Sequence, residues 1–361
     1  MINTIKQFEE LHIIDRETVV ELLQLQLPQS LPLFRRVQSP PRSPHTVVVA
    51  TFAQNQGPKI PANFKNEGGF DVLTETDAPN CKLENLICQG TEFQSIPPDE
   101  PFMVAEIDID LDTFGTNVWI YSSYERSASS ADSDSTASIT QNEILTAHFK
   151  GLFNFIRALN KNNGYGISSD KPVIFGAVHQ SFIEIMKKTD NITRVSPAYY
   201  KQVFITSEKD LADVKKNKGY DRYYAKSADN ASIETIVGTS KIPRDKSLLL
   251  QRLNICLHDR INNEAAAWCF LSLDGSLITL YVREKYREQG LAKRVFIQLV
   301  NTKMFDVYGK KGSDSVIETT PQWKWVHADV ETDNKESNGV CKSLGCKISW
   351  LTHWLEADLS F

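Results

Sequence analysis

The chain has 361 residues, 41% of them hydrophobic and 24% charged, and its 40 basic and 45 acidic residues give a net charge of −5. A single hydrophobic core stops growing near roughly 250–300 residues, so this length predicts about two domains. The composition excludes a disordered chain, and the acidic balance argues against nucleic-acid binding. The chain shows no signal core, no transit-peptide pattern and no apolar run near the roughly 20 residues that span a bilayer, so we expect a cytoplasmic protein without membrane contact.

The first two thirds of the chain predict helices and strands in mixed order. Helical spacing covers Val19 to Leu27, where Pro28 ends the helix, and it returns over Ile144–Leu159. Apolar runs and alternation predict further strands, the last of which continues into Ile183–Lys188. These strands are Thr46–Thr51, Met103–Leu111, Asn117–Ser122 and Pro172–Phe182.

Polar segments separate these elements and suggest where the chain divides. Residues 55–100 and the low-complexity stretch Ser122–Ser138 are predicted to be surface loops. The charged run Asp210–Arg222 reads as a connector. We therefore predict a boundary near residue 222, with domains at 1–222 and 223–361.

The last third predicts an α/β layer architecture, because strands and helices alternate there. Asp274-Gly275 between two alternating runs is the strongest hairpin signal in the chain. The predicted elements are a helix at Ser247–Leu257, strands at Ala265–Leu273 and Ser276–Val282, a helix at Leu291–Phe305, a polar loop at Gly309–Gln322, a strand at Trp323–Glu331, a helix at Asn334–Leu344 and a strand at Lys347–Leu355.

The six cysteines indicate neither a structural zinc site nor a disulfide framework. They form no CxxC pair and are sparse for this length, so we expect reduced thiols. The cysteines are Cys81, Cys88, Cys256, Cys269, Cys341 and Cys346.

One stretch carries a recognisable chemistry. A predicted strand ends at Val282, and a loop containing Arg287, Gly290 and Ala292 then opens a helix. A helix N-terminus offers unpaired N–H groups and about half a positive charge, so it binds phosphate well. Small residues allow the backbone to approach a ligand, and Arg287 adds a forked donor. The pattern predicts a phosphate-binding loop, with a glycine-capped surface turn as the alternative.

A second motif, further along the chain, makes the interpretation of this loop more specific. Asn334 and Ser337 are followed by Leu344-Gly345-Cys346. With the Arg287 loop before it, this stretch resembles motifs A and B of the GNAT superfamily of acyl-CoA N-acyltransferases. Ala267–Leu271 resembles the strand before motif A in glycine N-acyltransferase-like proteins. Three further stretches resemble the opening segment of that family, namely Leu27–Val37, Thr46–Val49 and Trp119–Ser122.

The resemblance implies a tandem GNAT-like α/β fold of mixed sheets flanked by helices, with a degenerate N-terminal half. The second half would bind acetyl-CoA or another acyl-CoA as co-substrate, with its pantetheine along the Leu280–Val282 strand and without a metal. The implied CoA-binding residues are Leu280, Tyr281, Val282, Arg287, Glu288, Gln289, Gly290, Leu291, Ala292, Asn334 and Ser337.

The resemblance also implies a reaction, in which an amine attacks the thioester directly. The expected acceptor is a small amine such as glycine or another amino acid. Two alternatives stay open: an acetyltransferase acting on a polyamine, arylamine or peptide, and an acyl-CoA-binding protein with lost catalysis. A mitochondrial location is compatible with the resemblance, and the sequence leaves open whether the chain is a monomer or a homodimer.

The sequence departs from its relatives at the base that the reaction needs. The family's usual Glu, eleven residues before the motif-A Arg, is replaced by Ser276. Our first substitute is Asp329, followed by Glu331 and Asp274, because all three lie near the predicted strands. The motif-B general-acid Tyr falls on Cys341, which is either a proton donor or a small buried side chain.

Three other patterns have less specific interpretations. His327, Asp329 and Glu331 alternate on one strand, which predicts a solvated face more readily than a metal triad. The run Asp108–Asp112 mimics a calcium loop but lacks its Gly and final Glu, so it predicts an edge strand with a charged face. Four tryptophans line either a substrate pocket or the core, namely Trp323, Trp325, Trp350 and Trp354.

Overall fold

The computed structural model describes residues 9–52, 101–110, 115–125, 139–206, 210, 213–214, 220–240, 245–309 and 325–360. The loops predicted over 55–100, most of the low-complexity and charged stretches, and the polar loop after residue 309 lie outside these ranges. Cys81, Cys88 and Trp323 also lie outside them. Among the described helices, none is long and apolar enough to cross a bilayer.

Thirteen strands lie within the described residues. They are β1 (His12–Ile13), β2 (Val47–Ala50), β3 (Met103–Asp110), β4 (Gly115–Ser122), β5 (Val173–His179), β6 (Ile192–Val195), β7 (Tyr199–Ile205), β8 (Tyr223–Lys226), β9 (Asn254–Asp259), β10 (Ala265–Leu271), β11 (Leu277–Val282), β12 (Trp325–Glu331) and β13 (Lys347–Ala357).

The α-helices of the same ranges are α1 (Arg16–Gln24), α2 (Leu31–Gln38), α3 (Ile139–Asn163), α4 (Ile183–Thr189), α5 (Asn230–Thr239), α6 (Lys246–Gln251), α7 (Leu291–Gln298) and α8 (Lys335–Ser343). A π-helical segment, Leu299–Gly309, extends α7. Short 3-10 turns occupy Gln180–Phe182, Tyr220–Arg222 and Glu284–Tyr286.

The strands form two sheets. The larger has the order β1-β2-β3-β4-β5-β13-β7-β12, with β6 also paired to β13, and its β4–β5 pair is parallel. The smaller is antiparallel, in the order β11-β10-β9-β8. The chain is therefore the mixed α/β protein that the sequence predicts. The smaller sheet lies entirely after residue 222, whereas β12 and β13 join the larger sheet, and the boundary at 222 stays a prediction.

Helices cover both faces of the larger sheet, and apolar side chains fill the layers between them. On one face Phe149 and Phe153 of α3 pack against Phe175 of β5. On the other face Leu23 and Phe34, from α1 and α2, pack in a cluster with Trp119, Tyr121 and Trp350. Val295 and Phe296 of α7 pack against the smaller sheet.

Three predictions about secondary structure are wrong. The strand predicted to continue into Ile183–Lys188 ends at His179, and Ile183–Thr189 forms α4.

The other two concern β9 and β3. The helix predicted at Ser247–Leu257 ends at Gln251, and β9 begins three residues later, because Ile255 and Leu257 are buried by pairing with β10. The predicted edge strand, β3, lies between β2 and β4. Asp108 of β3 is fully buried, where its carboxylate accepts from Arg36 at 2.9 Å and pairs with Arg42 at 3.1 Å. Asp108 is thus paired with arginines inside the fold and is not exposed on an edge strand.

Candidate functional site

A gap between β11 and β12 forms the centre of the site. The two strands touch through a single parallel bridge between Ser276 and His327. Beyond this bridge β11 pairs with β10 and β12 pairs with β7. The facing edges of β11 and β12 are not joined by a ladder in the part of the chain that the structure describes. Backbone groups on these edges are consequently available to a ligand.

A β-bulge changes the direction of the β11 backbone beside this gap. Trp268 pairs with Tyr281 and Phe270 pairs with Ile278, so β11 carries one more residue than β10. The extra length is taken up at Thr279, whose φ is +54°. A non-glycine residue with a positive φ costs conformational energy. Bulges commonly occur beside functional sites. The bulge lies directly before Leu280–Val282, the segment predicted to hold pantetheine.

The predicted phosphate loop follows β11 and is exposed from Arg287 to Gly290. Gly290 is the N-cap of α7 with φ +70°, a conformation that glycine adopts without a Cβ penalty. The first turn of α7, which contains Leu291 and Ala292, has no acidic residue. Its N–H groups and partial positive charge therefore meet no competing carboxylate on the helix itself. Glu288 also has a positive φ, +62°.

Neighbouring side chains hold this loop in place. The Tyr223 hydroxyl donates to Gln289 Oε1 at 2.6 Å, and the buried Arg294 donates to the Tyr223 carbonyl at 2.9 Å. Arg287 Nε donates to the Val282 carbonyl at 3.3 Å, and its guanidinium lies 5.9 Å from the centre of the Tyr281 ring. Arg287 is therefore tied to the end of β11 by one nitrogen while its side chain stays exposed.

A buried polar cluster lies where β11 and β12 meet. Lys201 of β7 is fully buried, and its ammonium lies 2.6 Å from Asp329 Oδ1 and 3.2 Å from His327 Nδ1. His327 Nε2 lies 2.7 Å from the Asp274 carbonyl, to which it donates. The predicted solvated face on β12 is thus wrong: His327 is fully buried, and the Asp329 side chain is only 11% exposed.

Burial and neighbouring charges together set the protonation states in this cluster. Burial lowers the pKa of His327 to about 4, and the Lys201 ammonium acts in the same direction, so the imidazole is neutral near pH 7. Burial would raise the pKa of Asp274, but His327, Lys201 and the bonds from Ser276 bring it below its usual value. Asp274, His327 and Asp329 offer ligand atoms within 4.8 Å of one another. The Lys201 ammonium already contacts two of these three side chains, those of His327 and Asp329.

The two oxygens of Asp329 have different surroundings. Oδ1 pairs with Lys201 and lies 3.4 Å from the Thr352 hydroxyl. Oδ2 has no hydrogen-bond partner within the described residues. One oxygen is thus anchored and the other can accept a proton, which keeps Asp329 our first choice of base. Glu331, two residues along β12, is half-buried.

Ser276 and Cys341 take structural positions. The buried Ser276 hydroxyl donates to Asp274 Oδ1 at 2.7 Å, so a Glu here would face another buried carboxylate. Cys341 is buried in the core beside α7, and a hydrogen bond with the Cys346 thiol lowers its pKa. The inert interpretation of Cys341 fits this packing, although its role in catalysis stays a prediction.

The motif-B residues begin α8. Asn334 is the N-cap, and its side chain accepts from the Ser337 N–H at 3.0 Å. Asn338 donates to the Glu331 carbonyl at 3.0 Å and accepts from Gln202 at 2.6 Å. The Asn–Ser spacing therefore fixes the entry into α8 beside β12. Asn334 and Ser337 as CoA-binding residues stay a prediction.

Two polar residues of the N-terminal half were missed from the sequence. Lys201 and the adjacent Gln202 interrupt an otherwise apolar and aromatic strand, which is the one local signal that could have drawn attention to Lys201. Glu125 is buried just after β4, where its carboxylate accepts from the Ser122 N–H at 3.1 Å. Burial raises the pKa of Glu125 to about 8, opposed by that bond and by Lys201. Both residues therefore belong to the electrostatic surroundings of the cluster.

We expect stability to fall in mild acid, because burial lowers the pKa of His148, His179 and His327 to about 4 each. Below pH 6.5 these three histidines become protonated in the unfolded chain but stay neutral in the folded chain. Glu125, protonated in the fold up to about pH 8, acts oppositely by one proton. The net difference approaches 3 − 1 = 2 protons near pH 5, where it lowers the free energy of unfolding by about 3 kcal/mol per pH unit.

Urea unfolding across this pH range measures the effect. His148→Phe should halve the slope, since it removes one of the two net protons. A wild-type unfolding free energy that does not change over the range would contradict the prediction.

Comparison with known proteins gives a family and a fold. A family described as acyl-CoA N-acyltransferase verG N-terminal domain matches residues 5–202. No curated protein sequence matches the chain. A solved structure of a Drosophila protein is 12% identical, with a TM-score of 0.52 over 96% of this chain and 98% of that one. At this identity the likeness shows the fold alone.

Two further structures are similar at lower scores. A tandem GNAT protein from the clavulanic acid biosynthesis pathway is 9% identical, with a TM-score of 0.43 over 98% of this chain and 99% of that one. A GCN5-related N-acetyltransferase from Kribbella flavida is 10% identical, with a TM-score of 0.39 over 71% and 86%. The family match spans more than half of the chain. The chain therefore belongs to the family described as acyl-CoA N-acyltransferase verG N-terminal domain.

Proposed function

We propose that this protein transfers an acyl group from acyl-CoA to the amine of a small acceptor, such as glycine or another amino acid. The observation that carries the proposal is the gap between β11 and β12, together with the exposed loop that follows β11 and precedes α7. Residues 223–361 supply the CoA site, and residues 1–222 supply a half without a phosphate loop of its own.

CoA phosphate would lie at the N-terminus of α7. Gly290 and the N–H groups of Leu291 and Ala292 form the anion site there, and the exposed Arg287 adds a charged donor. Glu288 and Gln289 complete the loop. Pantetheine would follow the open edge of Leu280, Tyr281 and Val282, whose backbone groups supply its hydrogen bonds.

The chemistry needs a free amine and a place for negative charge. The amine nitrogen attacks the thioester carbon, the C–S bond breaks, and the amine proton passes to Asp329 Oδ2 while the thiolate leaves and takes up a proton. Backbone N–H groups near the Thr279 bulge would stabilise the thioester oxyanion. Glu331 and Asp274 rank behind Asp329 as bases, and Cys341 behind water as the acid.

A thiol-release assay tests the proposal. Acetyl-, benzoyl- and longer acyl-CoAs are offered with amino acids, polyamines, arylamines and peptides, and the free thiol is measured. Transfer to amino acids supports the proposal, whereas transfer confined to the other amines favours the acetyltransferase alternative. Tight binding of acyl-CoA without release from any amine would favour a binding protein, for which the loss of the strand Glu at Ser276 is the argument.

Gly290→Glu should abolish CoA binding, because it strains a φ of +70° and brings a carboxylate where phosphate belongs. Calorimetry with CoA should show one site per wild-type chain and none in the variant. Gly164→Glu is the matched control: Gly164 is exposed at a φ of +65° with open space around it, and it lies in the other half. Unchanged CoA affinity in Gly290→Glu would remove the phosphate site from this loop.

A further inference from the structure

One face of the larger sheet carries polar and aromatic side chains from both halves of the chain. Residues directly paired across strands share a face. His179 of β5 pairs with Thr352 of β13, and Lys201 pairs with both Trp350 and Asp329. The Thr352 hydroxyl reaches Asp329 Oδ1 at 3.4 Å, which confirms that these groups lie on the same side. The face therefore runs from His179 to the proposed base.

His179 presents a donor on this face that the protein does not use. The Ser181 N–H donates to His179 Nδ1 at 3.2 Å, and the Ser181 hydroxyl lies 2.7 Å from the same nitrogen. Nδ1 is thus the acceptor, so in the neutral ring the proton lies on Nε2. His179 is only 6% exposed, yet Nε2 has no partner among the described residues. Burial lowers the pKa of His179 to about 4, consistent with this neutral tautomer.

Trp119 presents a second unused donor nearby. It pairs with Gly176 of β5, and its indole lies so close that a Cβ on Gly176 would meet Nε1 at 2.8 Å. Arg36 lies 4.2 Å from the centre of the indole ring. Trp119 is 7% exposed, and its Nε1–H has no partner in the described chain. Two buried N–H donors on the adjacent strands β4 and β5 therefore lack an acceptor among the described residues.

Aromatic rings of β13 flank both donors. Trp350 and Trp354 lie two residues on either side of Thr352, so all three share one face. The His179 and Trp350 ring centres are 6.4 Å apart, and those of Trp119 and Trp354 are 6.1 Å apart. Each donor thus borders an aromatic ring of β13, and one of these rings, that of Trp350, belongs to the residue paired with Lys201.

We infer that His179 and Trp119 bind an oxygen of the acceptor, which is therefore an amine that also carries a carboxylate or carbonyl oxygen. Buried donors are normally paired, so two unpaired donors on adjacent strands indicate a missing acceptor atom. Thr352 pairs with His179, and its hydroxyl lies 3.4 Å from Asp329 Oδ1, so His179 and the proposed base lie on either side of one small side chain. A short molecule can consequently reach from these donors to Asp329. This inference rests on the proposed function only in identifying the ligand as the acceptor.

Calorimetry on the CoA-loaded protein tests the oxygen site without requiring turnover. The probes are N-acetylglycine, which has the carboxylate, and N-ethylacetamide, which lacks it. Wild type should bind N-acetylglycine at least tenfold more tightly. His179→Phe and Trp119→Phe keep a ring but remove the donor, and each should erase most of that preference without changing CoA affinity. His179→Gln, which keeps an N–H donor, should restore part of it.

His148→Phe is the matched control, since it makes the same change at another buried histidine, on α3. In steady-state assays His179→Phe should raise KM for an amino acid at least tenfold and leave KM for acyl-CoA unchanged. Equal wild-type affinity for both probes, or a His179→Phe protein that behaves like His148→Phe, overturns the inference and leaves acyl transfer standing. His179-dependent binding of N-acetylglycine without transfer to any amine would instead refute the proposed function alone.

Discussion

Asp329→Asn should slow acyl transfer about 10²–10⁴-fold near pH 7, with CoA binding unchanged. An aliphatic amine is mostly protonated at neutral pH, so the reaction depends on a positioned base. The loss should shrink toward pH 9, where free amine becomes abundant. A pH–rate profile of the variant beside wild type measures both effects.

The geometry around Asp329 explains why a change this small should matter. Lys201 and Thr352 engage Oδ1, which leaves Oδ2 for the proton. An Asn in this place keeps the shape but cannot act as a base, and its amide would meet the Lys201 ammonium. Asp333→Asn, at an exposed position after β12, is the control and should be neutral. A wild-type pH profile in Asp329→Asn would remove our choice of base, and Glu331→Gln would then be the next variant to examine.

Lys201→Met should lower the free energy of unfolding by about 3–5 kcal/mol and abolish most activity. Lys201 is fully buried, so its loss leaves the Asp329 carboxylate without its partner at 2.6 Å and His327 Nδ1 without a donor. Urea denaturation at pH 7 measures the stability change.

Two further variants separate burial from simple charge pairing. Lys187→Met breaks an exposed ion pair with Glu184 and should cost less than about 1 kcal/mol. Lys201→Met combined with Asp329→Leu removes both charges, so stability should recover while transfer stays lost. An equal urea midpoint for Lys201→Met and wild type would show that the pair does not stabilise the fold.

Much of the structure around the proposed CoA site could be predicted from the sequence because its signals are local. The Asp274-Gly275 turn predicts the β10–β11 hairpin, which the structure confirms. Gly290 directly before an amphipathic run predicts the start of α7, where the structure places it. Each of these features is encoded within a few neighbouring residues, because backbone conformation at a turn or cap depends on its own side chains.

The acceptor side of the site depends on strands that come together from distant parts of the chain. Strand β7 inserts between β13 and β12, and only this pairing brings Lys201 against Asp329 and His327. On β12 alone, alternating polar residues read as solvated, because alternation reveals a shared face but not what covers it. His179 and Trp119 likewise acquire unmet donors only through burial. Local sequence thus determined the conformation of the loop proposed to bind CoA. The tertiary structure decided which polar groups are buried together, because burial and charge pairing depend on neighbours that are distant in the sequence.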